Sequence, residues 1–307
     1  MQIIRSIEGY DRPDDLLLSI GVFDGVHLGH RAVLRSLVDQ RRPGQLAAAL
    51  TFEHHPQAFL HPDDAPKAIT TADEKVNLLA ACGLDLLLLL QFDDRIAQID
   101  AETFLRDILV SRLHVKELIV GDNWRFGKGA AGDVALAKRV LESLGCRFEC
   151  AVMTQGDGET ISSSRIRSLI EARRFDEADR LLGSPFTVRG IVEAGDGRGN
   201  LLGFPTANLR IADDKLIPPD GVYAAVAHHD GDDRTAVVSI GSKPTFGGKQ
   251  CVVEAYLLDF NGSIYGDQLS LRDWRHIRDQ IRYDGPGALV RQMKLDVESV
   301  RERAGRS

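Results

Sequence analysis

Residues 18–30 read LSIGVFDGVHLGH, an apolar run that leads into glycines and two histidines. Residues 31–38 then carry apolar side chains at helical spacing, so the segment predicts a strand, a glycine loop and a helix. The unpaired amides and the dipole at a helix start favour phosphate, and glycines let the backbone approach an anion closely. His27 and His30 could both donate hydrogen bonds there to charge that develops on phosphorus. The stretch therefore predicts a phosphate-binding turn.

The same two histidines also admit a purely structural interpretation, as caps of a helix beside a tight turn. The stretch lacks the Lys-Ser/Thr pair of a P-loop and does not have GxGxxG spacing. Both observations argue against an ordinary NTPase and against a dinucleotide-dependent dehydrogenase.

Length and composition limit what kind of protein this can be. The chain has 307 residues, 43% hydrophobic and 27% charged, which suits a soluble globular protein of about two domains. A formal net charge of −7 argues against nucleic acid as a partner of the whole surface. Nothing at the N-terminus resembles a signal peptide, and the longest apolar run, residues 84–90, is too short to cross a bilayer. We therefore expect a cytoplasmic protein without a membrane partner, either a monomer or a weak homo-oligomer.

Neither a metal cage nor a disulfide is expected. Cys82, Cys146, Cys150 and Cys251 show no CxxC pair and no zinc spacing, so free, buried thiols are the favoured interpretation. Residues 53–56, EHHP, could suggest metal ligands. Because a proline follows in a loop, positioning a nucleotide or shaping the turn is the favoured role.

The first half alternates short apolar strands with amphipathic helices. The predicted strands are residues 46–52, 86–92 and 117–121, and the predicted helices are residues 71–83, with a Thr71/Glu74 capping box, 101–113 and 134–144. Such alternation predicts a parallel sheet covered by helices, whose ligands bind beyond the carboxyl ends of the strands. The histidine turn, residues 53–56 and residues 121–123 all follow strands, so we expect them to line one cleft.

A second candidate anion site is residues 161–167, ISSSRIR, which opens a helix. Its three hydroxyls could hold phosphate together with a forked arginine, or could simply cap a helix that carries surface arginines. The helical pattern that follows ends at residues 183–185, GSP, where the composition changes. We therefore predict one domain over residues 1–183 and another over residues 184–307.

The second half has the pattern of β-structure. Alternating strands are predicted at residues 186–192, 221–227, 236–240 and 252–258, and a small antiparallel barrel is the closure they favour. After Pro286, apolar side chains at helical spacing predict a C-terminal amphipathic helix against the barrel. The expected fold class is α/β, with a parallel-sheet domain followed by an antiparallel β-barrel and a terminal helix.

The candidate for chemistry in this half is residues 195–208, GDGRGNLLGFPTAN. A glycine-rich loop permits backbone contact with phosphates, and a nearby hydroxyl and amide can ligate Mg²⁺ through oxygen. An ordinary loop that enters a strand has a similar composition, so that interpretation also stays open.

Together these motifs resemble the bacterial bifunctional riboflavin kinase/FMN adenylyltransferase family, also called FAD synthetase. The first half has GxFDGxHxGH at residues 21–30, TFxxHP at 51–56, GDxxxFG at 121–127 and ISSxxIR at 161–167. The second half has GFPTAN at residues 203–208, IGxxPTF at 240–246, Glu254 and YG at 265–266. The resemblance spans nearly the whole chain.

The resemblance implies a Rossmann-like nucleotidyltransferase domain that joins FMN to AMP from ATP and gives FAD and pyrophosphate. His27, His30 and Arg167 would act on the transferring α-phosphoryl group, and Mg²⁺ would help to offset the repulsion between two polyanions. His55 and Asn123 would lie near the flavin. The positions implied for ATP binding are Gly21, Phe23, Asp24, Gly29, Ser163 and Ser164, the last where threonine is common.

For the barrel, the resemblance implies a riboflavin kinase, so that ATP, riboflavin and FMN are the substrates of the whole chain. Thr206 and Asn208 would ligate Mg²⁺ and ATP. The residues implied to cover the nucleotide are Gly197, Gly199, Gly203 and Pro205.

One position departs from the family pattern. Where the resemblance implies a catalytic glutamate after the last barrel strand, this chain has Gln280. An amide can orient the ribityl hydroxyl but cannot take its proton, and general-base help is typically worth roughly 10²- to 10⁴-fold in rate. We therefore expect a slow or silent kinase that Gln280→Glu would speed, with Asp279 or Asp284 as candidate substitutes. Two alternatives stay open, an adenylyltransferase whose barrel mainly binds flavin and a flavin-binding regulator built on a retired enzyme.

Overall fold

The computed structural model describes residues 1–151, 155–156, 158–195, 203–245 and 248–304, and the chain forms two compact units, Met1–Ser163 and Ser164–Ser307. The main strands of the first unit are β1 (Gln2–Ile4), β2 (Asp15–Ile20), β3 (Gln45–Phe52), β4 (Leu86–Leu90), β5 (Val115–Gly121) and β6 (Arg147–Ala151). They form one six-stranded sheet in the order β1-β4-β3-β2-β5-β6, and every pair is parallel. A two-stranded sheet of β7 (Gln155–Gly156) and β8 (Glu159–Thr160) follows.

The central strands of the large sheet are buried on both faces, which is why they are apolar without alternation. β4 consists of five leucines, all of them buried. Along β2, Leu16 and Leu18 belong to the core on one face and Leu17 to the core on the other. The predicted parallel sheet is confirmed, whereas the edge strands β1 and β6 are short and largely exposed and gave no clear signal in the sequence.

The helices of the first unit follow the strands. They are α1 (Leu28–Asp39), α2 (Pro56–Leu60), α3 (Ala72–Ala80), α4 (Asp94–Ala97), α5 (Ala101–Thr103) and α6 (Val134–Ser143). The predicted capping box of α3 forms, because the Thr71 hydroxyl accepts from the Glu74 N–H and the Glu74 carboxylate accepts from the Thr71 N–H. The helix expected over residues 101–113 is α-helical only in α5 and continues over Phe104–Arg112 as a π-helix.

The neighbours of β2 show where a ligand can bind in this sheet. β2 lies between β3, which follows it in sequence, and β5, which comes much later. Open parallel sheets bind ligands outside the carboxyl ends of their strands at such a switch in strand order. Because the strands are parallel, the loops after β2, β3 and β5 all leave the sheet at this edge.

The second unit contains most of α7 (Ser163–Glu171), α8 (Phe175–Leu182), a barrel and a terminal helix, α9 (Pro286–Ala304). The barrel strands are β9 (Val188–Glu193), β10 (Ala207–Arg210), β11 (Gly221–His229), β12 (Asp232–Thr245), β13 (Gly248–Leu257) and β14 (Gln268–Arg278). They close in the order β10-β13-β12-β11-β14-β9, with every pair antiparallel. The predicted barrel and terminal helix are thus confirmed. Among the helices in the described part of the chain, none combines the length and apolarity that a membrane span requires.

The hairpin between β11 and β12 turns at Asp230 and Gly231. Both residues have positive φ, 50° and 86°. Two-residue hairpins favour this backbone because its twist matches that of the flanking strands. The turn lies between the predicted strands 221–227 and 236–240.

All four cysteines are free, as expected, but their predicted burial is only partly correct. Cys146 is buried and Cys82 is half-buried, whereas Cys150 and Cys251 are exposed. Cys150 lies on the edge strand β6, which has no neighbour on its outer side within the large sheet. Cys251 lies on β13 beyond the residues that pair with β10, and among the described residues it is paired on one side only, with Ser242 of β12.

Candidate active sites

The glycine loop between β2 and α1 holds its two histidines as a pair. Phe23, Gly25 and Val26 all have positive φ, so the chain turns back sharply before the helix. His27 is the N-cap of α1, and its Nδ1 accepts a hydrogen bond from the backbone N–H of His30 at 3.3 Å. The two imidazole rings stack with their centroids 3.7 Å apart. The capping role and the phosphate-binding role of this motif are therefore compatible.

Both imidazoles are neutral at neutral pH. Burial lowers the pKa of His27 to about 4, against the opposing effect of the Asp24 carboxylate. Burial also lowers the pKa of His30 well below its usual value, and the charges of His27 and Lys75 act in the same direction. Because Nδ1 of His27 accepts a hydrogen bond, the proton of this ring lies on Nε2. An anion at this turn meets neutral N–H donors rather than imidazolium cations.

Asp24 fixes this loop against the segment that precedes α3. Its carboxylate oxygens accept hydrogen bonds from the backbone N–H groups of Ile69 and Thr70, each at 3.1 Å. The Thr70 hydroxyl accepts in turn from the N–H of Gly25 at 3.0 Å. These bonds favour a loop-positioning role for Asp24, and its contact with ATP stays a prediction.

The serine-rich turn reaches the histidine loop through Ser163. The Ser163 hydroxyl donates to the backbone carbonyl of Asp24 at 2.9 Å. The first unit therefore brings the start of the ISSSRIR motif onto the loop that carries both histidines. Ser164 and Arg167 follow on α7 in the second unit, where Arg167 is buried.

Lys75 is a buried cation near this loop that the sequence reasoning missed. Its side chain is only 4% exposed, and its ammonium group donates to the backbone carbonyls of Phe52 and Val22. These carbonyls lie at the end of β3 and just beyond the end of β2. Helical spacing was the available signal, since Lys75 is four residues before the buried Leu79 on α3.

A cavity of about 520 Å³ opens at the carboxyl ends of β2, β3, β4 and β5. Two predicted site residues, Gly21 and His55, line it. The described residues that line the cavity include Trp124 and Arg125 but not Asn123. The resemblance implies a position near the flavin for Asn123, and this stays a prediction.

The cavity has an aromatic wall that the sequence reasoning did not identify. Its members are Phe52, Phe92, Phe104, Trp124 and Phe126. The Trp124 and Phe126 rings stack with centroids 4.1 Å apart and an interplanar angle of 17°. A flat, largely apolar ring system suits such a wall, because aromatic faces and edges pack well against it.

Three polar side chains lie side by side on the outer face of the barrel. Asn208 on β10 is directly opposite Glu254 on β13, and Glu254 is directly opposite Ser239 on β12. Directly opposed residues of antiparallel strands point to the same face. Since Val253 and Ala255 are buried in the barrel, the three polar side chains face away from its core.

A second cavity, of about 410 Å³, lies at this face, and Ser239, Glu254, Asp220 and Gln280 are among the residues that line it. The amide of Gln280 donates to the backbone carbonyl of Ile240 at 2.8 Å and to the Ser239 hydroxyl at 3.0 Å. Because a carbonyl oxygen only accepts, the nitrogen of this amide must be the atom that faces Ile240.

The candidate substitutes for the missing glutamate lie elsewhere. Neither Asp279 nor Asp284 is among the described residues that line the second cavity. Asp279 instead forms an ion pair with Arg173 at 2.8 Å, and its carboxylate lies 3.2 Å from Nε2 of His276. Glu254, by contrast, is a carboxylate in this cavity. The expectation of a proton acceptor at position 280 did not consider it.

The Asn208 side chain lies against Gly195, which is two residues after the end of β9. A Cβ at Gly195 would overlap the Asn208 amide, so only glycine leaves room for it there. Gly203 has a φ of 82°, and Pro205 and Thr206 directly precede β10. Gly197 and Gly199 lie outside the described residues.

Each unit thus carries a site suited to phosphate chemistry, and the fold and sites together define an enzyme of phosphoryl and nucleotidyl transfer. The family model for FAD synthetase matches residues 11–165, and that for riboflavin kinase matches residues 182–304. The chain belongs to the bifunctional riboflavin kinase/FMN adenylyltransferase family.

Relatives and a solved structure match nearly the full length. The bifunctional riboflavin kinase/FMN adenylyltransferase of Escherichia coli strain K12 is 35% identical and covers 99% of this chain and 98% of its own. The protein of the same name from Listeria monocytogenes is 32% identical and covers 93% of this chain and 91% of its own. A crystal structure titled as a macrolide-efflux protein from Streptococcus pneumoniae is 30% identical, with a TM-score of 0.84 and 98% of both chains covered.

Proposed function

We propose that this chain makes FAD from riboflavin in two steps, each of which consumes ATP. The barrel phosphorylates riboflavin to FMN, and the parallel-sheet domain then joins FMN to AMP and releases pyrophosphate. The observation that carries the proposal is that each half matches its own family model and contains its own cavity. We assign residues 1–183 to the adenylyltransferase domain and residues 184–307 to the kinase domain. Nothing favours the alternatives of a single activity or a retired regulator.

In the adenylyl transfer, an oxygen of the FMN phosphate attacks the α-phosphorus of ATP and the bond to pyrophosphate breaks. The attacking phosphate is already an anion, so the step needs no general base. Positioning and electrostatic stabilisation then account for the rate. We assign the stabilisation of the α-phosphoryl group to the neutral N–H donors of His27 and His30 and to the Arg167 guanidinium.

The substrates of this step are assigned to the features around the histidine loop. The aromatic cavity suits the isoalloxazine ring of FMN, with His55 in its wall and Asn123 beside Trp124. The glycine loop suits the phosphates of ATP, because its backbone turns sharply and leads into the helix start. The residues assigned to ATP are Gly21, Phe23, Asp24, Gly29, Ser163 and Ser164.

In the kinase step, the terminal ribityl hydroxyl attacks the γ-phosphorus of ATP, ADP leaves, and the hydroxyl proton needs an acceptor. We assign that role to Glu254, because its carboxylate lines the cavity and is opposite Asn208. A general base of this kind typically contributes roughly 10²- to 10⁴-fold in rate. With Glu254 in this role, the amide at Gln280 does not leave the kinase without a base.

The donor set at the start of β10 fits Mg²⁺. The Thr206 hydroxyl and the Asn208 amide oxygen are hard oxygen ligands, which this cation prefers. Mg²⁺ held by Thr206 and Asn208 would neutralise charge on the ATP phosphates. We assign Gly203 and Pro205 to nucleotide binding, and the same role for Gly197 and Gly199, which lie outside the described residues, stays a prediction.

We further propose a cytoplasmic protein, monomeric or weakly self-associating, whose partners are its small-molecule substrates. The net charge of −7 supports the absence of a nucleic-acid partner.

The proposal is tested with the purified full-length chain. Riboflavin, ATP and MgCl₂ should give FMN and then FAD, and FMN with ATP and MgCl₂ should give FAD and pyrophosphate in equal amounts. Liquid chromatography separates the three flavins. If the chain forms FAD from FMN but no FMN from riboflavin, the adenylyltransferase assignment stands and the kinase assignment is refuted.

A further inference from the structure

Gln280 stands where the sequence predicts a proton-accepting glutamate, yet its contacts are those of a donor. Its amide nitrogen lies 2.8 Å from the Ile240 carbonyl oxygen, 3.0 Å from the Ser239 hydroxyl and 3.4 Å from the Gly221 carbonyl oxygen. These acceptors belong to β11 and β12, so one amide joins the chain after β14 to two other strands of the barrel.

The acceptors beside the amide lead directly to the proposed base. Ser239 is opposite Glu254 in the register of β12 and β13, so the two side chains are neighbours on one face. Glu254 is in turn opposite Asn208 on β10. The position of the Gln280 amide is therefore linked, through Ser239, to the Glu254 carboxylate in the cavity and to Asn208 on the adjacent strand.

An ionised glutamate could not reproduce these contacts. Both oxygens of a carboxylate only accept hydrogen bonds, so one of them would face the Ile240 carbonyl with no hydrogen between them. A protonated carboxyl group, by contrast, has an O–H that can donate to this carbonyl. A carbonyl that loses its donor in a partly desolvated position destabilises the local arrangement.

We propose that Gln280 is a positioning residue of the kinase cavity, whose amide holds Ser239 and the middle of β12 beside Glu254, and that Gln280→Glu slows riboflavin phosphorylation at neutral pH. This direction is opposite to the one expected from the sequence. The inference rests on the proposed kinase activity and on Glu254 as its proton acceptor.

The charges around position 280 predict how this effect depends on pH. Asp220, Glu254 and the cation Arg282 line the same cavity. Asp279 precedes the position, and Arg278 is two residues before it. Arg278 is already engaged by Asp296 through two hydrogen bonds. Asp220, Glu254 and the carbonyl oxygens that face position 280 disfavour ionisation of an introduced carboxyl group, against the opposing effect of Arg282. Because the groups that disfavour the charge outnumber this cation, the introduced carboxyl group should be protonated at mildly acidic pH.

The test measures FMN formation from riboflavin by the full-length chain between about pH 5.5 and about pH 8.5. At the alkaline end, the rate of FMN formation by Gln280→Glu should be roughly a tenth of the parent rate. The ratio of the variant rate to the parent rate should rise as the pH is lowered. Gln280→Met, which has neither donor nor charge, should be slowed at every pH. Gln268→Glu adds the same charge to an exposed position of β14 outside the cavity and should match the parent.

FAD formation from supplied FMN reports on the other unit and should be unchanged in all three variants. A Gln280→Glu enzyme that equals or exceeds the parent in FMN formation at every pH overturns the inference. A parent chain that forms no FMN from riboflavin refutes the proposed kinase activity, and the inference falls with it. If Gln280→Glu does not fold, Ser239→Ala replaces it, and an unchanged kinase rate in that variant overturns the inference.

Discussion

His27 caps a helix and presents an N–H donor from the same ring. Replacing it with alanine removes both functions, and loss of a preorganised donor should lower the turnover of FMN adenylylation by roughly 10²- to 10³-fold. The measurement is the rate of FAD formation from FMN at saturating ATP. FMN formation from riboflavin by the same variant is the control and should not change. An unaltered adenylylation rate would remove His27 from the mechanism.

Burial of this neutral imidazole also makes stability depend on pH. The pKa of His27 is about 4 in the folded chain and about 6.5 in an unfolded one. Between these values the unfolded chain binds a proton that the folded chain does not. The free energy of unfolding should therefore fall as the pH drops below about 6.5, by roughly 1.4 kcal/mol per pH unit for this group.

Urea unfolding at about pH 7, 6 and 5 measures this slope. His27→Asn keeps a side chain that can cap α1 but removes the titrating ring, so its stability should decline less steeply with acid. Equal slopes for the two proteins would contradict a neutral His27 in the folded chain.

Gly195 should matter only to the kinase. Alanine at this position would push against the Asn208 amide, and misplacing a substrate-positioning group by about 1 Å can cost roughly 10²-fold in rate. Gly195→Ala should therefore greatly slow FMN formation and leave FAD formation from FMN intact. Gly285→Ala is the matched control, because a Cβ there has no neighbour within 4 Å. Normal kinase activity in Gly195→Ala would argue against a role for the observed Asn208 position.

Among the elements, α3 is joined to the sheet by Lys75. Lys75→Met should destabilise the chain by roughly 1 to 3 kcal/mol, because the carbonyls of Phe52 and Val22 lose a donor. It should also slow FAD formation, since these carbonyls lie at the edge of the sheet that carries the histidine loop. Thermal unfolding and FMN adenylylation measure the two effects. Lys138→Met on α6, whose side chain is 61% exposed, should change neither, and an unaffected Lys75→Met would contradict this account.

Elements with strong local patterns could be predicted from the sequence. The five leucines of β4 and the Thr71 and Glu74 pair at the start of α3 are of this kind. β14 could not be predicted, because Arg272 and Asp273 lie between its buried Leu271 and Trp274 and break the alternation that begins at Leu269. The π-helix after α5 has the same apolar spacing as an α-helix, so periodicity alone does not distinguish them.

Over the whole chain, contiguous motifs predict the two domains and the fold of each. They do not predict which residues from other strands complete each site. The HxxH and PTAN motifs are contiguous and could be read directly. The neighbours of Asn208 could not, because Glu254 and Ser239 approach it only through the register of β10, β12 and β13. The aromatic cavity is likewise assembled from residues at and beyond the carboxyl ends of four different strands.

Because FMN made at the kinase site can diffuse to an adenylyltransferase site, a mixture of two variants, each defective in one step, should carry out both steps. His27→Ala should stop at FMN when supplied with riboflavin, whereas Gly195→Ala should use added FMN but make little of its own. A mixture of the two variants should restore the conversion of riboflavin to FAD, because FMN released by one can enter the other. If the mixture is no better than either variant alone, FMN does not pass between sites as this account requires.

The two-step conversion of riboflavin to FAD is tested most directly by a time course of riboflavin, FMN and FAD with the unaltered chain, ATP and MgCl₂. Riboflavin should decline, FMN should rise first, and FAD should follow, with one pyrophosphate released for each FAD. Riboflavin that remains unconverted, or supplied FMN that gives no FAD, would contradict it.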